Sequence, residues 1–211
     1  MRSHLVTGRL GCYTIAMYKR HVKQALDFLA ALAALVVLLI PGLVIALWIK
    51  IDSPGPVFFK QKRVGKDKTH FMILKFRTMR TDTPKDVPTH LLQDPYAYIT
   101  QSGRFLRKTS LDELPQLINI LRGEMSFVGP RPALWNQFDL IARRDEVGAN
   151  ALRPGLTGWA QVNGRDELPI AVKARFDGEY AKNLGFYMDM RCVFRTLLEV
   201  FRGEGVVEGR Q

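Results

Sequence analysis

The residues with the clearest chemical potential lie between Arg107 and Pro132. The run is Arg107-Lys108-Thr109-Ser110-Leu111-Asp112-Glu113-Leu114-Pro115-Gln116, then an apolar stretch, then Gly129-Pro130-Arg131-Pro132. Asp112 and Glu113 are adjacent carboxylates with two cations just before them. An ionised aspartate needs no general base to act as a nucleophile and can form an acyl phosphate. A neighbouring glutamate can hold Mg²⁺, which favours a few carboxylates together with substrate phosphate oxygens. Arg107 and Arg131 could neutralise those oxygens. The bland alternative is that the two acids only complement a helix dipole. Spacing alone leaves both readings open.

The element that must carry the pair reads as a helix. Leu114, Leu117, Ile118 and Leu121 fall at i, i+3, i+4 and i+7, one amphipathic face. Ser110 with Glu113 three residues on predicts a capping box, and Pro115 fits only near a helix start. Arg122-Gly123 is a stop signal. After it, Met125 to Val128 reads as a short strand delivering Gly129-Pro130-Arg131-Pro132, where two prolines stiffen the backbone around one arginine.

Upstream, residues 28–49 carry no charge. At ~1.5 Å per residue such a run could cross a hydrocarbon core of ~30 Å. Pro41-Gly42 divides it into arms 28–40 and 43–49, each too short to span alone. Both flanks are basic: Lys19, Arg20 and Lys23 before, Lys50, Lys60, Lys62 and Arg63 after. The positive-inside rule places both flanks on one side. Composition thus leaves a re-entrant and a spanning segment open. A cleaved signal peptide is not expected, because the run is too long and starts too late. Asp27 could cap the segment or pair with a cation.

Ile51-Asp52-Ser53-Pro54-Gly55-Pro56 reads as a rigid turn. Val57–Val64 and Thr69–Phe76 are β-prone and flank Gly65-Lys66-Asp67-Lys68, predicting a hairpin. Of its many cations, Lys75 and Arg77 stand out, because they close the second strand among apolar neighbours. Residues 80–98, with Pro84, Pro88 and Pro95, read as a mobile loop. Further helices are expected over Trp135–Val147, ending at Gly148, and over 170–183 and 188–202. In the last, Met190, Val193, Phe194, Leu197, Leu198 and Phe201 form a stripe against Arg191, Arg195 and Arg202, suited to a core or a headgroup plane. Two turn-rich stretches, Arg153 to Trp159 and Val162 to Arg165, each offer an arginine in a loop.

Bulk composition agrees with an anionic partner. In 211 residues, Lys and Arg number 31 against 20 Asp and Glu, which suits nucleic acid, lipid headgroups or a phosphorylated substrate. Cys12 and Cys192 make no disulfide framework or metal spacing, and His4, His21, His70 and His90 are scattered, so all six read as structural or incidental. Asp166-Glu167-Leu168-Pro169 echoes the dyad but lacks a helical run behind it.

Five motifs, taken together and in order, carry a resemblance over residues 20–206. They are Asp52 to Phe59, Lys75-Phe76-Arg77-Thr78-Met79, Ser110 to Gln116, Ser126 to Pro132, and Pro154 to Trp159 followed by Asn163-Gly164-Arg165. The sequence resembles the small monotopic phosphoglycosyl transferases, the bacterial sugar transferases. The resemblance implies a mixed α+β fold: a basic segment 1–24, a re-entrant membrane helix 25–50 broken at Pro41, and a catalytic domain 51–211 with a small β-hairpin and several amphipathic helices. It implies transfer of a sugar-1-phosphate from a UDP-sugar to polyprenyl phosphate, releasing UMP. Asp112 would be the nucleophile, and Glu113, with Asp112, would hold Mg²⁺. Lys75, Arg107, Arg131 and Arg165 fall where the family places phosphate-facing cations. The implied location is the cytoplasmic face of a bacterial inner membrane, with membrane lipids as partners and no nucleic acid; a homodimer is left open. Donor specificity is expected in residues 80–98 and 133–170. Two departures stand out: Ile40 where the family often has Ser before the proline, and the tail Arg202-Gly203-Glu204-Gly205-Val206. The rival reading from charge alone is a membrane-anchored basic binding module without catalysis.

Overall fold

A computed structural model describes residues 18–84, 94–164 and 168–202. Its first elements are two helices, α1 (Lys23–Val37) and α2 (Leu39–Asp52), bent by 62°. No single helix among the described residues is long and apolar enough to cross a membrane. The break lies at Leu38, not at Pro41 as expected from the sequence. Proline cannot donate to the carbonyl four residues back and its ring crowds that carbonyl. The disruption therefore falls upstream, and Pro41 sits in the first turn of α2, where a missing N–H is harmless. Leu38 N–H still donates to Ala34 O (2.8 Å), and Gly42 N–H donates to Leu38 O (2.8 Å).

The predicted hairpin forms. β1 (Phe58–Val64) and β2 (His70–Phe76) pair antiparallel, with Phe58 opposite Phe76 and Val64 opposite His70. Each arm of the bent pair feeds a core built on β2. Ala31 of α1 packs with Phe71, Ile73, Leu117 and Ile120. Ile45 and Ile49 of α2 pack with Phe76 and Leu106. The outward faces of both arms, including Leu29, Val36, Val37, Ile40, Leu43, Val44, Leu47 and Ile51, stay exposed. The arms' outer ends are also fastened to the folded domain. Asp27 neither caps its helix nor depends on a cation alone: it accepts the Ser126 hydroxyl (2.7 Å) and the Phe127 N–H (3.3 Å). Asp52 accepts both the N–H (2.9 Å) and the hydroxyl (2.7 Å) of Ser102.

Downstream come α3 (Gln101–Lys108), α4 (Gln116–Leu121), β3 (Ser126–Val128), α5 (Phe138–Glu146), β4 (Gly155–Thr157), α6 (Ile170–Asn183) and α7 (Phe186–Arg202). Part of the stretch expected as a mobile loop is a helical turn, Pro95–Tyr98, whose N–H groups of Tyr96 and Ala97 are capped by Asp94. Residues 85–93 lie outside the described residues. β3 and β4 pair in parallel across a glycine crossing. A Cβ on Gly155 would sit 2.1 Å from the Gly129 nitrogen, and one on Gly158 would sit 2.0 Å from the Gly129 oxygen. Only hydrogen fits there, which explains the spacing of the glycines at 129, 155 and 158.

Of the two readings of the α7 stripe, the core-facing one does not hold for most of it. The helix turns Met188, Asp189 and Cys192 inward and leaves Met190, Phe194, Leu197 and Leu198 exposed. The guanidinium groups of Arg191 and Arg195 lie over the Trp159 ring at 4.8 Å. Burial pushes the Cys192 thiol up to about 12, consistent with a packing role.

Gly155→Ala should cost about 3 kcal/mol through backbone overlap, whereas Gly148→Ala, with nothing within 4 Å, should cost only about 1 kcal/mol of left-handed strain. Thermal unfolding of the two purified variants measures the difference.

Candidate active site

The two carboxylates do not occupy a helix first turn behind a capping box. Ser110 adopts a left-handed conformation (φ 56) and its side chain makes no cap bond. Residues Leu111–Glu113 form a 3₁₀ turn, and α4 begins only after Pro115. The expected apolar face is shifted too: Gln116, Leu117, Asn119 and Ile120 are the buried positions of α4. The reason is Asn119. Its Oδ1 accepts the Leu74 N–H (3.0 Å) and its Nδ2 donates to Met72 O (2.9 Å), so a polar side chain docks α4 on the edge of β2. Buried backbone groups need such partners, and nothing in the apolar periodicity announces one.

That docking brings the end of β2 against the 3₁₀ turn. Lys75 Nζ lies 2.7 Å from Glu113 Oε1 and 3.7 Å from Asp112 Oδ2. Arg131 Nη2 lies 3.2 Å from the same Glu113 oxygen. Arg107 comes from α3, where its Nε donates to Thr78 Oγ1 (2.8 Å), and its charge acts on Asp112. Thus Lys75, Arg107 and Arg131, separated by tens of residues in sequence, converge on Asp112 and Glu113. Arg165 lies outside the described residues. Arg77, singled out with Lys75, is not part of this group. β2 ends at Phe76, and the Arg77 guanidinium turns away to donate to Ser53 O (2.7 Å) and Pro54 O, closing the C-terminal end of α2. Thr78, which orients Arg107, was visible only as a member of the Lys75–Met79 motif.

The electrostatics separate the two acids. Asp112 is only 8% exposed. Its burial pushes the carboxyl above the usual aspartate range, opposed by Lys75 and reinforced by Glu113. Burial also opposes ionisation of Glu113, but Lys75 and then Arg131 outweigh it and hold that carboxyl at about 2. Glu113 is therefore a fixed anion that organises cations. Asp112 is a carboxylate whose charged form is penalised by burial, with less of its charge neutralised by contact. A buried, poorly solvated carboxylate beside a cluster of cations is chemically suited to attack phosphorus. For a metal, two hard oxygen donors are suitable Mg²⁺ ligands, and no group of three or more His, Cys, Asp or Glu able to hold a metal ion occurs among the described residues.

A sequence profile described as "Bacterial sugar transferase" matches residues 18–203. The UDP-glucose:undecaprenyl-phosphate glucose-1-phosphate transferase of Escherichia coli (strain K12) is 41% identical over 192 residues, 86% of this chain and 40% of that protein. The UDP-N-acetylgalactosamine-undecaprenyl-phosphate N-acetylgalactosaminephosphotransferase of Aeromonas hydrophila is 35% identical over 207 residues, 96% of this chain and 49% of that protein. The exopolysaccharide production protein PSS of Rhizobium leguminosarum bv. phaseoli is 42% identical over 197 residues, 87% of this chain and 98% of that protein. The chain thus spans less than half the length of the two named transferases but nearly all of the third relative.

Lys75→Met should destabilise the protein by about 3 kcal/mol at pH 7, because it leaves two buried carboxylates short of a cation. The sign of the pH dependence follows from Asp112. Its raised carboxyl protonates as pH falls, and a neutral acid no longer needs the ammonium. The stability gap between wild type and Lys75→Met should therefore narrow toward pH 4, measured by chemical unfolding across pH.

Proposed function

The chain belongs to the bacterial sugar transferase family, and we propose that it moves a sugar-1-phosphate from a UDP-sugar to polyprenyl (undecaprenyl) phosphate, releasing UMP. The observation that carries this reading is the buried Asp112 held beside Lys75, with Glu113 binding Lys75 and Arg131. The names of the transferase relatives support the substrate classes.

In the proposed reaction, an Asp112 carboxylate oxygen attacks the β-phosphorus of the UDP-sugar. A new O–P bond forms, the bond from that phosphorus to the bridging oxygen breaks, and UMP leaves with the electron pair. An oxygen of polyprenyl phosphate then attacks the same phosphorus and the aspartyl bond breaks, restoring Asp112. Burial raises the free energy of the Asp112 carboxylate, which favours its conversion to an uncharged acyl group; the negative charge that remains on the phosphoryl oxygens faces Lys75 and the arginines. Arg107 and Arg131 are placed to neutralise diphosphate oxygens, and Arg165 is proposed to join them. Mg²⁺, held by Glu113 and Asp112, would supply further neutralisation of the diphosphate.

The bent pair α1–α2 is proposed as a re-entrant anchor in the cytoplasmic face of a bacterial inner membrane. Two observations support it. The outward faces of both helices are apolar over an extent unusual for a surface in water. Both outer ends are hydrogen-bonded to one folded domain, through Asp27 and Asp52, which is what a chain returning to the side it left requires. The site then lies at headgroup depth, within reach of a lipid phosphate and of a nucleotide sugar from water.

UMP release from a panel of UDP-sugars, with Mg²⁺ and undecaprenyl phosphate, tests the reaction. Wild type should release UMP with a particular donor, and without acceptor should give a burst of about one UMP per enzyme. Asp112→Asn should lower turnover by roughly 10³-fold or more. Unchanged turnover in that variant would discard the aspartyl route. For topology, single cysteines at His21 and Lys50 in a cysteine-free background should both be labelled from the cytoplasmic side of inverted vesicles; labelling from opposite sides would show a spanning segment.

A further inference from the structure

The segment Pro130–Ala133 is held by its carbonyls. Pro130 and Pro132 have no N–H to give. Four consecutive carbonyls, by contrast, are each taken by a donor from elsewhere in the chain, all at 2.9 Å. Gly155 N–H of β4 donates to Pro130 O, and Val64 N–H of β1 donates to Ala133 O. Between them, two guanidinium groups reach in from opposite elements. Arg144 Nη1, from α5, donates to Arg131 O. Arg63 Nη1, from β1, donates to Pro132 O.

Each of these arginines is itself fixed. Arg144 is 4% exposed, and its Nε donates to Asp177 Oδ2 of α6 (2.8 Å). Arg63 Nη2 donates to Gln61 Oε1 (2.5 Å), a buried residue two positions away on β1. The loop's backbone is already narrowed, because proline fixes its own φ and pushes the preceding residue out of the helical region. Local stiffness sets the shape of the segment but not its place. The four carbonyl bonds set the place, and the two from guanidinium groups fall on Arg131, whose side chain meets Glu113, and on the residue after it.

We propose that Arg63 and Arg144 are positioning residues, forming a clamp on the carbonyls of Arg131 and Pro132 that holds the Arg131 guanidinium over Glu113 for phosphate binding. The inference rests on the transferase reading for its substrate. Neither arginine touches the reacting atoms. Both act through Arg131, so their loss has a distinctive signature: it matters only while Arg131 is present.

The test is a double-mutant cycle. Arg144→Lys keeps a cation against Asp177 and removes the planar donor to Arg131 O. Arg63→Met keeps the stem and removes the donor to Pro132 O, and it carries the test alone should Arg144→Lys fail to fold. Each single variant should lower kcat/KM for the UDP-sugar roughly 10- to 100-fold. In an Arg131→Met background the same substitutions should add less than about 2-fold. The cycle is repeated on UDP affinity by calorimetry, which needs no turnover. Fully additive losses in both readouts would overturn the clamp, as would single variants with wild-type kcat/KM and UDP affinity. UDP binding without UMP release from any donor would sink the transferase reading while the affinity cycle still decides the clamp. Absence of UDP binding to wild type would overturn both.

Discussion

Two adjacent carboxylates buried together repel each other and lose their hydration, so the turn Leu111–Glu113 is viable only where cations surround it. That requirement shapes the domain. Lys75 arrives from the end of a hairpin, Arg107 from the helix before the turn, and Arg131 from a loop after it. Each sits on a different element, so hairpin, helix and loop must be docked before the acids can coexist. The burial is uneven in its effect. Glu113, in contact with two cations, is locked as an anion, whereas burial of Asp112, at 3.7 Å from Lys75, pushes its carboxyl upward. The same functional group at neighbouring positions thereby takes two electrostatic settings from its surroundings.

The bent helix pair belongs to the same scheme. Asp27 is tied to the start of β3, the strand that leads into the Arg131 loop. Asp52 is tied to Ser102 on α3, the helix that carries Arg107. Near the start of α1, Lys23 Nζ (2.7 Å), the Tyr18 hydroxyl (2.7 Å) and the Tyr180 hydroxyl (2.6 Å) converge on the buried Asp189. Asn119 and Arg77 complete the arrangement, the first fastening α4 to β2 and the second closing the end of α2 on the residue after β2. Side chains that bond backbone groups across elements place the dyad relative to the apolar arms. Hydrophobic contacts alone are non-directional and would permit sliding.

Where the sequence reading and the structure part, the cause is a competing partner. The Ser110–Glu113 capping box is a sound local pattern, but the Glu113 carboxylate gains more from Lys75 and Arg131, and the Ser110 N–H donates instead to Arg107 O (3.1 Å). The apolar stripe of α4 is displaced because Asn119 must face β2. The break in the apolar run falls at Leu38 because a proline disturbs the turn before it. In α7, the inward face is set by Asp189 and Cys192 and by the guanidinium groups of Arg191 and Arg195 over Trp159, so the most apolar stripe is left outside.

Local chemistry determined a great deal by itself. The hairpin over 57–76, the helix over 170–183, the short strand before Gly129 and an apolar run interrupted near Pro41 all follow from periodicity and from residues whose backbone preferences are strong. The family resemblance also implied Asp112, Glu113, Lys75, Arg107, Arg131 and Arg165 as members of one site. Tertiary structure alone decided their roles. Which acid is held more firmly as an anion depends on distances between residues 75, 113 and 131. Which basic residue faces the site depends on where β2 ends, and it separates Lys75 from Arg77. Arg63, Arg144 and Asn119 carry no motif, because a guanidinium or an amide that binds a distant carbonyl leaves no trace in its own neighbourhood. Burial and through-space charge are properties of the folded arrangement, and no window of sequence contains them.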